Sequence, residues 1–117
     1  MCIRDRDNFD IICGIPYGGL PIASYISTTY NKPMILLRDK TKDYGLQNRI
    51  EGNYSIDDKC VIIDDVITSG KSIQEAIDYL HDKVNIVKCM VIFDRQQNYE
   101  TTMNVDCLLI INSLPSS

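Results

Sequence analysis

The chain reads as an α/β domain built on a parallel sheet, and three observations predict it. Short unbroken runs such as Ile11-Ile12-Cys13, Met34-Ile35-Leu36-Leu37 and Val61-Ile62-Ile63 have the pattern of strands buried on both faces. These runs alternate with helical spacings or long polar connections, which sets consecutive strands parallel with right-handed crossovers. The chemically conspicuous clusters at residues 17–19, 64–72 and 94–95 each follow a strand, so the topology gathers them on one edge, beyond the strands' carboxyl ends.

A chain of 117 residues suits one domain that buries about two-thirds of its unfolded surface. A net charge of −4 and a pI near 4.8 argue against a nucleic-acid partner. There is no compact basic run for a membrane surface, no apolar run long enough to span a bilayer and no signal-peptide pattern, so a cytoplasmic location is expected. Cys2, Cys13, Cys60, Cys89 and Cys107 show no Cys-x-x-Cys spacing, and four of them fall in expected strands. Buried free thiols in a reducing compartment account for them.

Taken in order, residues 1–9 are polar, charged and aperiodic, the mark of a non-native or disordered lead; the core is expected over 10–112 and a tail over 113–117. A first strand over 10–15 is punctuated by Pro16-Tyr17-Gly18-Gly19. A helix over 20–30 then puts Ile22, Ala23, Ile26 and Tyr30 on one face. Gly14-x-Pro16 breaks the dinucleotide-binding glycine pattern, which leaves a tight strand-to-helix turn. The strand over 33–37 runs into Arg38-Asp39-Lys40-Thr41-Lys42-Asp43-Tyr44-Gly45 and a polar stretch to about Tyr54. A connection this long is often functional, although its composition alone favours a solvated, charged hairpin. Further strands are expected over 86–93, closing on Asp94-Arg95, and over 105–111.

Chemistry concentrates in the stretch from Val61 to Ser72. A strand ends in the carboxylates Asp64 and Asp65; Val66 and Ile67 follow, then Thr68-Ser69-Gly70-Lys71-Ser72 opens a helix with Ile73, Ala76, Ile77 and Leu80 at helical spacing. Backbone N–H groups at a helix start lack intrahelical partners and carry the positive end of the dipole. Hydroxyls add donors and Gly70 permits close approach, so the turn suits a phosphate, each charge-assisted bond contributing roughly 1.5–3 kcal/mol. Carboxylates would repel that phosphate; sugar hydroxyls or a hydrated cation are their natural partners. A phosphorylated sugar satisfies both halves. As isolated features, Ser and Thr before a helix are ordinary N-caps, and Gly70-Lys71-Ser72 imitates a Walker A loop. Asp65 stands where that loop requires glycine, which excludes the nucleoside-triphosphatase.

Residues 61–72 resemble the ribose-phosphate signature of type I phosphoribosyltransferases, which binds 5-phosphoribosyl 1-pyrophosphate (PRPP). Cys13-Gly14-Ile15-Pro16-Tyr17-Gly18-Gly19-Leu20-Pro21 is similar to the pyrophosphate loop of the orotate phosphoribosyltransferases, although many bacterial members carry lysine in place of Gly18. Arg38, Lys42, Asp43, Tyr44 and Gly45 match that family's catalytic loop, while Asp39 replaces its usual lysine and implies weaker pyrophosphate binding. Asp94-Arg95 resembles the segment whose arginine contacts the orotate carboxylate, with Asn98 at a glycine position.

The resemblance covers nearly all of residues 10–112. It implies a Rossmann-like type I phosphoribosyltransferase core with a parallel sheet and a flexible catalytic loop, and conversion of orotate and PRPP to orotidine 5′-monophosphate and pyrophosphate. On it, Lys42, Asp64 and Asp65 are catalytic. PRPP is bound by Tyr17, Gly18, Gly19, Arg38, Lys42, Tyr44, Asp64, Asp65, Val66, Ile67, Thr68, Ser69, Gly70, Lys71 and Ser72; orotate is bound by Thr68 and Arg95. Mg²⁺ would arrive with PRPP near Asp64 and Asp65 rather than on a dedicated protein site. A homodimer sharing the catalytic loop across subunits is also implied. Family members have further N- and C-terminal segments, so the chain is expected to be a core fragment. Two alternatives stay open: a phosphoribosyltransferase for a purine or uracil, and a non-catalytic PRPP-binding regulator.

Overall fold

The computed structural model describes residues 9–38, 49–67, 70–94, 101 and 105–110. Within them the elements run β1 (Ile11–Gly14), α1 (Gly19–Tyr30), β2 (Met34–Leu37), β3 (Ile50–Glu51), β4 (Lys59–Ile67), α2 (Lys71–Leu80), β5 (Asn85–Asp94) and β6 (Val105–Ile110). They form one sheet of order β3-β2-β1-β4-β5-β6. Every pairing is parallel except that of β3 with β2.

Alternation along the strands sorts the core into two layers. Ile11, Cys13, Ile35, Leu37, Cys60, Ile62, Cys89 and Val91 pack with Ile73, Ala76, Ile77 and Leu80 of α2. The intervening residues Ile12, Val61, Ile63 and Met90 pack with Ala23 and Ile26 of α1. A ten-residue helix such as α2 is marginal alone. Burial of Ile73, Ile77 and Leu80, about 1.5–3 kcal/mol each, is what holds it. On the layer of α2, burial raises the Cys13 thiol to about 12 and the Cys60 thiol well above its usual range. Both are therefore thiols rather than thiolate ligands.

β1 and β4 lie side by side, yet α1 carries the chain from β1 to β2 on one flank while α2 carries it from β4 to β5 on the other. Between β1 and β4, then, lies the topological switch point where ligands collect in such sheets.

Three sequence expectations need correction. Asp64 and Asp65 do not follow the strand; β4 continues through Ile67, with Val66 and Ile67 registered against Phe93 and Asp94 of β5. β1 stops at Gly14, opposite Ile63, so beyond that point β4 is paired on one side only and opens toward the switch point. β3, a two-residue antiparallel strand, lies inside the stretch read as polar connection, because so short a strand leaves no period to detect. Phe9, assigned to the lead, is a core residue at 3% exposure, edge-to-face with Tyr30 at 6.2 Å. Residues 1–8 of that lead and the tail at 113–117 lie outside the described residues.

Candidate functional site

At the carboxyl end of β1 the chain turns through Ile15-Pro16-Tyr17-Gly18 into α1, and the turn is fastened to β4 by the Ile15 N–H donating to the Ile63 carbonyl at 3.0 Å. The Pro16–Tyr17 peptide bond is cis. Tyr17 projects outward at 73% exposure. Gly19 is required by proximity: a Cβ there would stand 2.5 Å from the Ile63 carbonyl oxygen, so α1 starts in backbone contact with β4. Gly18 is closer still to chemistry. Its missing Cβ would lie 1.9 Å from one Asp65 carboxylate oxygen and 2.2 Å from the carboxyl carbon. Asp65 occupies that space, and a lysine in place of Gly18 would need the carboxylate to stand elsewhere.

The two carboxylates have different surroundings. Asp64 is 6% exposed, and its carboxylate accepts the Asp65 N–H at 2.8 Å; Asp65 is half-buried and accepts the Val66 N–H at 2.8 Å. Burial pushes Asp64 up to about 7; the backbone N–H of Asp65 opposes this rise and the neighbouring Asp65 carboxylate adds to it. Asp64 thus sits at the boundary of ionisation near neutrality, where an approaching cationic centre would favour its charged form. It also borders an apolar groove of about 380 Å³ along α1, lined by Pro21, Ile22, Tyr25, Ile26, Ile63 and Met90.

Across the switch point, Gly70 precedes α2 with φ 83° and ψ 1°, a left-handed conformation that glycine adopts without a steric penalty. It supplies no side-chain cap, so the first helical turn, with Lys71 and Ser72, is not closed by its own N-cap residue. Arg38 leaves the end of β2, its side chain 24% exposed and 3.5 Å from Glu51. A small polar cavity of about 150 Å³ joins these parts, lined by Ile15 and Pro16 of the turn, Arg38, Arg49, and Ser72 and Glu75 of α2.

The structure therefore sets Gly18 and Gly19, just after the exposed Tyr17, against Asp64 and Asp65 of β4, and brings Arg38 and Ser72 to one cavity, with Gly70 and Lys71 immediately before Ser72. Val66 and Ile67 extend β4 beside them. Lys42, Tyr44, Thr68, Ser69 and Arg95 lie outside the described residues. Sequence reasoning passed over Arg49 and Glu75. No motif marks either, and only the return of β3 beside β2 brings Arg49 to the cavity. No group of three or more His, Cys, Asp or Glu able to hold a metal occurs among the described residues. The carboxylate pair nonetheless suits a cation delivered with a polyphosphate, because Mg²⁺ keeps most of its ligands as water and substrate oxygens. Among the described residues no helix is long and apolar enough to cross a membrane.

The doubly wound sheet, with its acid pair on β4 beside a glycine-led helix start, suits a phosphoribosyltransferase, and the phosphoribosyl transferase domain model matches residues 2–113; the chain belongs to that family. Among its relatives, orotate phosphoribosyltransferase of Methanosphaera stadtmanae is 40% identical over 99 residues, covering 84% of this chain and 56% of that protein. Uridine 5′-monophosphate synthase of Bos taurus is 40% identical over 91 residues, 77% of this chain and 19% of that protein. Of solved structures, Leishmania donovani UMP synthase superposes with a TM-score of 0.69 at 33% identity, over 88% of this chain and 23% of that one. Aeropyrum pernix orotate phosphoribosyltransferase shares the fold at a TM-score of 0.78 and 23% identity, over 92% of this chain and 64% of that one. This chain spans about half or less of the length of these curated relatives.

Proposed function

We propose that this chain is the PRPP-binding core of an orotate phosphoribosyltransferase, which joins orotate to PRPP and releases orotidine 5′-monophosphate and pyrophosphate. The observation that carries the proposal is the apposition of Gly18 and Asp65 at the switch point, with the start of α2 across from it. On this reading the Asp65 carboxylate would take the ribose, the turn at Gly18 the diphosphate and the start of α2 the 5′-phosphate, and their apposition supports it. The names of the relatives favour orotate as the acceptor.

In the reaction, a bond forms between a ring nitrogen of orotate and the anomeric carbon as the carbon–oxygen bond to pyrophosphate breaks. Positive charge grows on the ribose ring and negative charge on the leaving group. Asp64 and Asp65 hold the ribose hydroxyls and face the cationic ring. The first turn of α2 holds the 5′-phosphate. Arg38 and the 15–19 turn address the diphosphate end, with Lys42 from the connecting loop, and Arg95 orients orotate. Mg²⁺ arriving with PRPP near Asp64 and Asp65 would supply charge neutralisation for the diphosphate. Fixing both reactants contributes the orientation part of the rate. Sharing the loop between two copies of the chain, in the cytoplasm, belongs to the same proposal.

Calorimetry with Mg·PRPP, followed by conversion of radiolabelled orotate, tests it. Saturable binding and label in orotidine 5′-monophosphate are expected. Transfer to a purine or uracil in preference to orotate would move the assignment to another phosphoribosyltransferase. Binding without transfer to any base would favour a regulator.

A further inference from the structure

The return of the chain into the sheet is built in an unusual way. Arg38 and Arg49 stand opposite each other as the next rung after the Leu37–Ile50 pair of β2 and β3. A regular hydrogen-bonded rung exchanges two backbone bonds. Here the Arg38 N–H donates to the Arg49 carbonyl at 2.6 Å, but the Arg38 carbonyl is met by the Arg49 side chain, whose Nε–H donates at 2.9 Å. The backbone N–H of Arg49 points elsewhere and donates to the Tyr79 hydroxyl on α2 at 3.0 Å. The Arg49 guanidinium carbon also lies 5.0 Å from the centre of the Tyr79 ring, and Lys83 Nζ lies 4.2 Å from that centre. One residue thus bridges β2, through Arg38, and the last turn of α2, through Tyr79.

We infer that Arg49 is a positioning residue: with Tyr79 it fixes Arg38 at the cavity between the 15–16 turn and Ser72, and so presents the Arg38 guanidinium to the diphosphate end of PRPP. This rests on the PRPP-binding role proposed above. Arginine is needed because its planar fork can place Nε–H on a carbonyl while its face lies on a ring; lysine keeps the charge and loses that geometry. The Tyr79 hydroxyl is the other half of the clasp.

The test uses Arg49→Lys and Tyr79→Phe in this chain, neither of which removes a proposed PRPP contact. Two readouts are taken: the Mg·PRPP dissociation constant by calorimetry and hydrogen exchange at the Arg49 amide. In Tyr79→Phe, amide exchange should quicken at least about tenfold; in both variants Mg·PRPP binding should weaken about five- to tenfold, with Tm within a few degrees of the parent. Arg49→Lys,Tyr79→Phe together should weaken binding no more than the stronger single change, because both act on one clasp. Parental affinity in both single variants overturns the inference while leaving the PRPP site in place, as does unchanged amide exchange in Tyr79→Phe. Weakening that tracks a fall in Tm also overturns it, as the behaviour of a merely structural contact. No Mg·PRPP binding by the parent instead overturns the site assignment itself, and the inference with it.

Discussion

Gly18 shows how much a single missing carbon can decide. Its backbone is in the helical region, φ −66° and ψ −27°, so an alanine there would be conformationally at ease. The obstacle is Asp65, whose carboxylate fills the place of the absent methyl. Gly18→Ala is therefore expected to leave Tm nearly unchanged and to weaken Mg·PRPP binding about tenfold by turning that carboxylate away from the proposed ribose site, a loss of one charge-assisted hydrogen bond. Calorimetry beside a thermal melt separates the two effects. Equal losses in both would mean that Gly18 serves packing alone. Gly19 differs, because a methyl there would strike the Ile63 backbone, which cannot rotate aside.

Among the elements, α2 joins core and site most directly. Its apolar stripe, Ile73, Ala76, Ile77 and Leu80, is buried on the sheet, and that anchoring aims its amino end at the switch point. The start depends on Gly70 holding φ 83°. Gly70→Ala should cost about 1–2 kcal/mol in a denaturant melt and also weaken Mg·PRPP binding. Gly70→Asn, with a side chain that tolerates left-handed backbone, should cost less. Equal stability of Gly70→Ala and the parent would mean that the turn relaxes without help from glycine. The stripe was legible from spacing alone. The extent of β4 was not: a carboxylate pair suggests a strand end, whereas pairing with β5 carries the strand past it to Ile67.

For the molecule as a whole, placing an acid inside the sheet has a thermodynamic consequence. Asp64 in the folded chain holds its proton to about 7, while the unfolded chain releases it near the ordinary value of 3.8. Between these values the native state binds more protons, so stability falls as pH rises. The favourable contribution is complete below about 4 and lost above about 7. Asp64→Asn should accordingly raise Tm at pH 8 on the order of 5 °C, and leave it unchanged at pH 4, after allowance for residual solvation of the site. Thermal melts across that range check the sign. A variant less stable than the parent at pH 8 would mean that the ionised carboxylate is stabilised by its surroundings. Burial of Asp64 thus carries a stability cost near neutrality.

By itself the sequence determined the alternation of buried strands and amphipathic helices, the α2 stripe, and the association of an acid pair with a glycine-led helix start. These are local periods and local spacings, written in consecutive residues. Tertiary structure alone decided that Gly18 abuts Asp65, that Asp64 is buried while its neighbour is half-buried, and that Arg49 reaches both Arg38 and Tyr79. Each joins residues 11 to 47 positions apart or depends on where β1 ends beside β4. The order of strands in a sheet is a global property, and no window of sequence contains it.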